Sequence, residues 1–273
     1  MGCSLAWQTG LAAEEAAPQR ELLQPPTHAV PSPITDRLAL RGIYYGQKLS
    51  TAVRYDNSAG VPGTLLDAES QLGVPDTLDQ GAVDFMFRML DRHRIRVDYA
   101  QQVRNGDVVT ATPIRFGNAV YPANERVLTH MDLRRFGITY TYSVVRSEKV
   151  EIGAGLGINL LQVEGTLEAP VRFLREQEDA AGPFPTLAVD GSWRVTKRFS
   201  VNAAFQYLGQ SIDEVSGNYK SWSADVQFRA FRNLSIGAGY AATRYRITST
   251  DDELAGYFKL KYEGPQLFLR VSY

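Results

Sequence analysis

The chain has 273 residues, a formal net charge of −1 and 44% apolar residues. That length fits one large domain or two small ones, and the near-neutral balance offers nothing to nucleic acid. The sequence holds no apolar run of about 18 residues, which excludes a membrane-spanning helix but not a barrel, whose strands alternate between lipid and lumen.

In chain order, residues 1–13 are mildly apolar and end in small residues, like the back half of a secretory signal peptide without its basic start. They are read as a signal-peptide remnant. Gly2-Cys3-Ser4 leaves a lipid-modified Cys3 as the rival reading. Cys3 is the only cysteine, so no intramolecular disulfide can form. Residues 14–35 are polar and carry Pro18, Pro25, Pro26, Pro31 and Pro33, the composition of a disordered periplasmic leader.

From Asp36 to Tyr273 the hydrophobic period is two. Val83, Phe85, Phe87 and Met89 alternate with Asp84, Met86 and Arg88. Ile95, Val97 and Tyr99 alternate with Arg94, Arg96 and Asp98. The same rhythm runs through residues 135–144, 150–160, 187–194, 199–207, 222–230 and 234–240. Short links near Asp91-Arg92-His93, residues 146–149, Thr196-Lys197-Arg198 and Arg232-Asn233 alternate with longer ones at 57–79, 105–131, 164–182, 210–217 and 248–252. A soluble sandwich also alternates, but this rhythm of links points to an all-β, antiparallel, up-and-down transmembrane β-barrel. Ten strands are expected, with eight as the alternative. Arg37 to Asp56 and Leu254 to Tyr273 are about twice the roughly 9–11 residues a tilted strand needs. Their outer halves are therefore expected to pair above the membrane. Lys259, Lys261 and Glu263 share the parity of Leu267, so they lie above the lipid unless a bulge at Gly264-Pro265 switches faces.

Aromatic residues sit at the expected interfaces. Tyr142, Trp193, Phe199 and Tyr273 fall near the short-turn end, and Phe136, Tyr207, Trp222 and Tyr240 toward the loop end, as in two aromatic girdles. The segment Gly264 to Tyr273 ends in an aromatic preceded by alternate apolar residues, Leu267, Leu269 and Val271. It resembles the closing strand of the Gram-negative outer-membrane β-barrel superfamily, with OmpA-type and OmpW-type small barrels alike in general architecture. The resemblance implies an integral outer-membrane location and recognition of Leu267, Leu269, Val271 and Tyr273 by the barrel-assembly machinery.

Parity sends Arg41, Arg88, Arg94, Arg96, Asp98, Arg104, Arg135, Glu151, Asp190, Arg194, Asp225, Arg229 and Arg270 into the lumen. Buried charges must be paired or hydrated. One reading is an arginine–carboxylate network that occludes the lumen. The other is a narrow passive channel favouring small anions, since arginines outnumber acids. Gly153, Gly155, Gly157, Gly237 and Gly239 also point inward, either as room for long arginines or as a smooth wall beside a ligand.

His28, His93 and His130 lie in the leader, a turn and a loop, away from inward carboxylates, so no catalysis, metal or cofactor is expected. Asp251-Asp252-Glu253 reads as a solvated loop tip. Acidic residues Asp67, Glu69, Asp76, Asp79, Glu164, Glu168, Glu176, Glu178 and Asp179 suggest divalent cations shared with lipopolysaccharide. Glu168 to Asp179 is either a short amphipathic helix or a surface loop. The expectation is a monomeric, non-enzymatic membrane protein with a structural or surface-interaction role, touching lipid and lipopolysaccharide but no nucleic acid.

Overall fold

The computed structural model describes residues 31–57, 59–172, 174–212, 215–250 and 255–273. The signal-like segment, Cys3, most of the leader with His28, and Asp251-Asp252-Glu253 lie outside the described residues. Ten long strands form the body: β1 (Leu38–Tyr55), β2 (Thr77–Leu90), β3 (His93–Val109), β4 (Arg126–Arg146), β5 (Val150–Ala169), β6 (Leu174–Arg194), β7 (Phe199–Ile212), β8 (Val215–Arg229), β9 (Leu234–Ser249) and β10 (Gly256–Ser272). Each pairs antiparallel with its neighbours in sequence, and β10 returns to β1, which closes the barrel.

Alternation decides which face each residue takes. Leu40, Tyr44, Phe85, Phe87, Ile138, Tyr140, Leu156, Ile158, Val189, Val226, Ile236, Leu267 and Leu269 are all exposed on the outer wall. A soluble monomer does not carry an apolar belt of this extent. Above it the outward positions turn polar, as at Lys48, Gln101, Gln162, Lys220, Arg244 and Lys261. Lys261 Nζ meets Glu263 Oε1 at 2.7 Å. No face switch occurs at Gly264-Pro265. The β1–β10 ladder keeps one register from Ala39↔Ser272 to Tyr55↔Gly256, so the outer halves of both strands do pair above the belt.

Three expected links are corrected. Residues 164–182 are not a loop with a helix. β5 and β6 continue as a hairpin through Glu164↔Asp179 to Ala169↔Leu174, with one 3-10 turn at Pro170–Arg172. Likewise β3 and β4 pair up to Val109↔Arg126, and β7 and β8 up to Ile212↔Val215. Outward residues here face water rather than lipid, so the apolar–polar contrast that marks strands in the belt disappears.

The upper end is filled from within. Residues 59–76 fold back over the lumen through the two-residue strand Leu66–Asp67, which pairs with Ala52 and Val53 of β1, and a short helix, α1 (Ala68–Gln71), whose N-cap Asp67 accepts from the Ser70 N–H at 2.8 Å. The hairpin Ile114–Phe116/Ala119–Tyr121 packs beside it, turning at Gly117 with φ 56°. Leu66, Leu72, Val74, Phe116 and Tyr121 bury against Val127, Met131 and Leu167. The Tyr121 hydroxyl donates to the Leu167 carbonyl at 2.9 Å, and burial pushes its pKa up to about 12. At the other end residues 31–36, which the sequence reading assigned to the leader up to residue 35, make a turn against the barrel mouth with Ile34 and Asp36 buried.

Candidate functional site: the lumen

The short-turn end carries an ionic floor. Arg88 on β2 meets Glu151 on β5 through two hydrogen bonds, 2.7 and 2.9 Å, with both side chains 1% exposed. Ser143 Oγ adds a 2.5 Å bond to the same carboxylate, and Arg94 Nη1 lies 3.7 Å away. Arg94 also holds Asp190 at 2.8 Å. Asp36 reaches up from the chain start to Arg229 at 2.6 Å and Arg270 at 3.2 Å.

One layer higher, Arg41 bridges Asp225 at 3.2 Å and Asp84 at 3.4 Å, and Arg96 approaches Asp84 at 3.5 Å. Arg135 holds Asp98 at 2.8 Å. Cavities of about 50 and 130 Å³ remain between these groups, partly polar in lining and large enough for a few waters. Pairs of this kind add little net stability against an apolar core of equal volume, but removing one partner strands a charge. Their structural consequence is a lumen filled by arginines, tied to carboxylates on neighbouring strands or on strands up to three places around the wall.

Above these charges lies a neutral stretch of lining. Gln47, Gln80 and Gln102 hydrogen-bond in a triangle at 2.5, 2.6 and 3.1 Å. Tyr45, Tyr219, Tyr245 and Tyr262 then pack with Leu49, Leu133, Leu161 and Leu260 across the barrel. The Tyr219 and Tyr245 rings lie 4.9 Å apart, and the Tyr45 hydroxyl donates to the Ala241 carbonyl at 2.7 Å.

The remaining expected residues fall as follows. Arg194 points inward at the lower rim, 3.8 Å from Glu148. Arg104 is buried near the top, 2.8 Å from Glu69, whose second oxygen accepts the Thr51 N–H at 2.8 Å. Glu69 is therefore a tether of the infolded loop rather than a surface ligand, and Asp67 is a helix cap. Phe136, Tyr142, Trp193, Phe199, Tyr207, Trp222 and Tyr240 all project outward, as do Leu267, Leu269, Val271 and Tyr273. The Tyr273 carbonyl accepts the Arg37 and Leu38 N–H groups at 2.6 and 2.8 Å, so the last residue helps seal the seam.

The inward glycines make room. A Cβ at Gly153 would strike Arg94 Nη2, one at Gly155 the Tyr140 carbonyl, and one at Gly237 the Phe268 ring. Sequence reasoning left out Asp84, which shares the parity of Arg88 and was legible. It also left out Asp36, which sits outside any alternating run, and the glutamine triangle, which carries no charge signal, and it assigned Glu69 to a surface loop.

Among solved structures, the chain is similar to the outer-membrane protease OmpT of Escherichia coli, with TM-score 0.56 and 10% identity over 86% of this chain and 96% of that one. Looser matches are the transport unit of the Escherichia coli autotransporter AIDA-I (TM-score 0.41, 8% identity, 86% and 89% covered) and Ail of Yersinia pestis (TM-score 0.35, 10% identity, 84% and 98% covered). The fold is that of the outer-membrane β-barrels. No protein-family model and no curated protein matches the chain.

OmpT is a protease, and the likeness extends to the fold alone. Here His93 and His130 project outward and meet neutral partners: Nδ1 of His93 lies 2.6 Å from the Tyr140 hydroxyl, and Nδ1 of His130 lies 2.7 Å from Asn105 Oδ1. Among the described residues no three metal-binding side chains converge.

Proposed function

We propose that this chain is a monomeric integral barrel of the Gram-negative outer membrane, non-enzymatic and non-conducting, with a structural or surface-interaction role. The observation that carries the proposal is the ionic lattice that fills the lower lumen, with the tyrosine–leucine layer above it. An anion channel would need free positive charge facing a continuous water path. Asp36, Asp84 and Glu69 join Asp98, Glu151, Asp190 and Asp225 in meeting the inward arginines, which removes most of the cationic excess that favoured a channel.

Lipid and lipopolysaccharide are the proposed contacts of the belt and of the polar rim above it. Tyr273, with its exposed ring, is the proposed handle for the assembly machinery. Reconstitution in planar bilayers tests the central claim. The expected record is flat at 100 mV, and stable anion-selective steps would establish the channel instead. Sedimentation of cell envelopes on a density gradient is expected to place the protein with the outer membrane, and recovery in the soluble fraction would refute the location.

A further inference from the structure

Above the tyrosine–leucine layer the lumen changes character. A cavity of about 290 Å³ lies among the upper ends of β1, β4, β5, β6, β9 and β10, beneath the infolded loop. Its walls include Val53, Met131, Val163, Phe184, Ile247 and Phe258. Its volume falls near the lower end of the ~300–1,000 Å³ usual for small-molecule sites. Thr129 belongs to this lining and carries a buried hydroxyl without a partner. The residue is 3% exposed. A buried hydroxyl left alone is costly, so a ligand carrying one hydrogen-bonding group would relieve it.

The wall beside this cavity is incomplete in a way the sequence explains. The ladder between β6 and β7 ends at Leu187↔Tyr207, although β6 runs on to Leu174 and β7 to Ile212. The Arg194 N–H donates to the Lys149 carbonyl, on the β5 side. Even positions of β6 therefore point their N–H groups to β5, and odd positions to β7. The next two odd positions above Leu187 are Pro185 and Pro183, which have no N–H to give. They face β5 residues Ile158 and Leu160 without breaking that ladder. The barrel thus has a seam at the level of Tyr207, at the upper edge of the belt, and Phe184 beside the seam lines the cavity.

We propose that this cavity binds an uncharged, mainly apolar small molecule with a single hydrogen-bonding group, such as a medium-chain aliphatic alcohol. The chain of the ligand lies against Val163, Phe184 and Phe258, its polar group meets Thr129, and it enters from the outer leaflet through the β6–β7 seam. Because the tyrosine–leucine layer closes the lumen below, the site holds its ligand without passing it through. The proposal therefore stands or falls separately from the conductance result.

The test is a titration of detergent-solubilised, methyl-labelled protein with deuterated 1-decanol, followed by nuclear magnetic resonance. Methyl signals of Met131, Val163 and Ile247 are expected to shift and saturate, while those of the belt residues Val189, Val226 and Ile236 drift without saturating as alcohol enters the micelle. Thr129→Val should weaken binding about fivefold, the worth of one neutral hydrogen bond. Val163→Trp should fill the cavity and abolish saturation. If that variant fails to fold, Met131→Trp makes the same measurement. Pro183→Ala combined with Pro185→Ala should restore donors at the seam and slow ligand exchange without altering the saturated shifts. Cavity and belt methyls responding in parallel, or saturation surviving a folded cavity-filling variant, would overturn the proposal.

Discussion

Replacing Glu151 with glutamine removes one negative charge from the most enclosed part of the lumen. Its carboxylate holds Arg88 at 2.7 Å and lies 3.7 Å from Arg94 and 3.8 Å from Arg146. At an effective dielectric near 20, each such pair is worth about 4 kcal/mol or somewhat more before desolvation is counted. Breaking one member of a buried pair costs roughly 3–5 kcal/mol net. Arg88 retains the Asp91 and Asp36 carbonyls at 2.9 and 3.2 Å, so its donors stay satisfied and the loss is mainly of charge. The low end, about 3 kcal/mol, is therefore expected for Glu151→Gln. Urea unfolding in phospholipid vesicles, followed by tryptophan fluorescence and by heat-modifiable gel mobility, reads it directly. The double variant Arg88→Met/Glu151→Leu should recover most of the loss, because an apolar pair leaves no charge behind. A single-variant loss below about 1 kcal/mol would refute the claim that the floor is electrostatically coupled.

Gly155→Val should prevent β4 and β5 from pairing, since any Cβ there meets the Tyr140 carbonyl. The expected result is no heat-modifiable band after refolding. On the rim, the hydrogen bond from Arg126, 2.8 Å at Nε, holds the exposed Asp107 carboxyl below the ordinary carboxylate range. A depressed folded pKa means that this pair's contribution is present above about pH 4 and lost as pH falls through the folded value. Arg126→Gln should bring the Asp107 titration, read by carbon chemical shift, back toward the ordinary value. Trp193 and Trp222, at opposite edges of the belt, should both be quenched by lipids brominated near the headgroup and less by lipids brominated at the chain end. The reverse order would move the belt.

The belt was legible because lipid on one side and a filled lumen on the other enforce strict alternation over residues such as 136–144 and 150–160. Most of the lumen charges followed from parity, since along a regular strand a residue four places before Arg88, such as Asp84, shares its face. The upper third was not legible for the opposite reason. Between Glu164 and Gly182 the outward positions meet water instead of lipid, so the strands persist without the apolar outer face that would reveal them. Glu69 and Thr51 touch only because residues 59–76 fold inward, a non-local event with no local signature. The prolines at 183 and 185 were visible as letters. Their meaning required knowing which edge of β6 each N–H would have faced.

Asp36 stands just before the first strand, while its partners Arg229 and Arg270 come 193 and 234 positions later. During synthesis this carboxylate emerges long before either guanidinium. The ionic floor is therefore complete only when β10 has arrived beside β1, and the last hydrogen bonds of the seam form in the same event. Assembly of this barrel thus has a built-in end point: neutralisation of its mouth and closure of its wall are one step, contingent on the final strand.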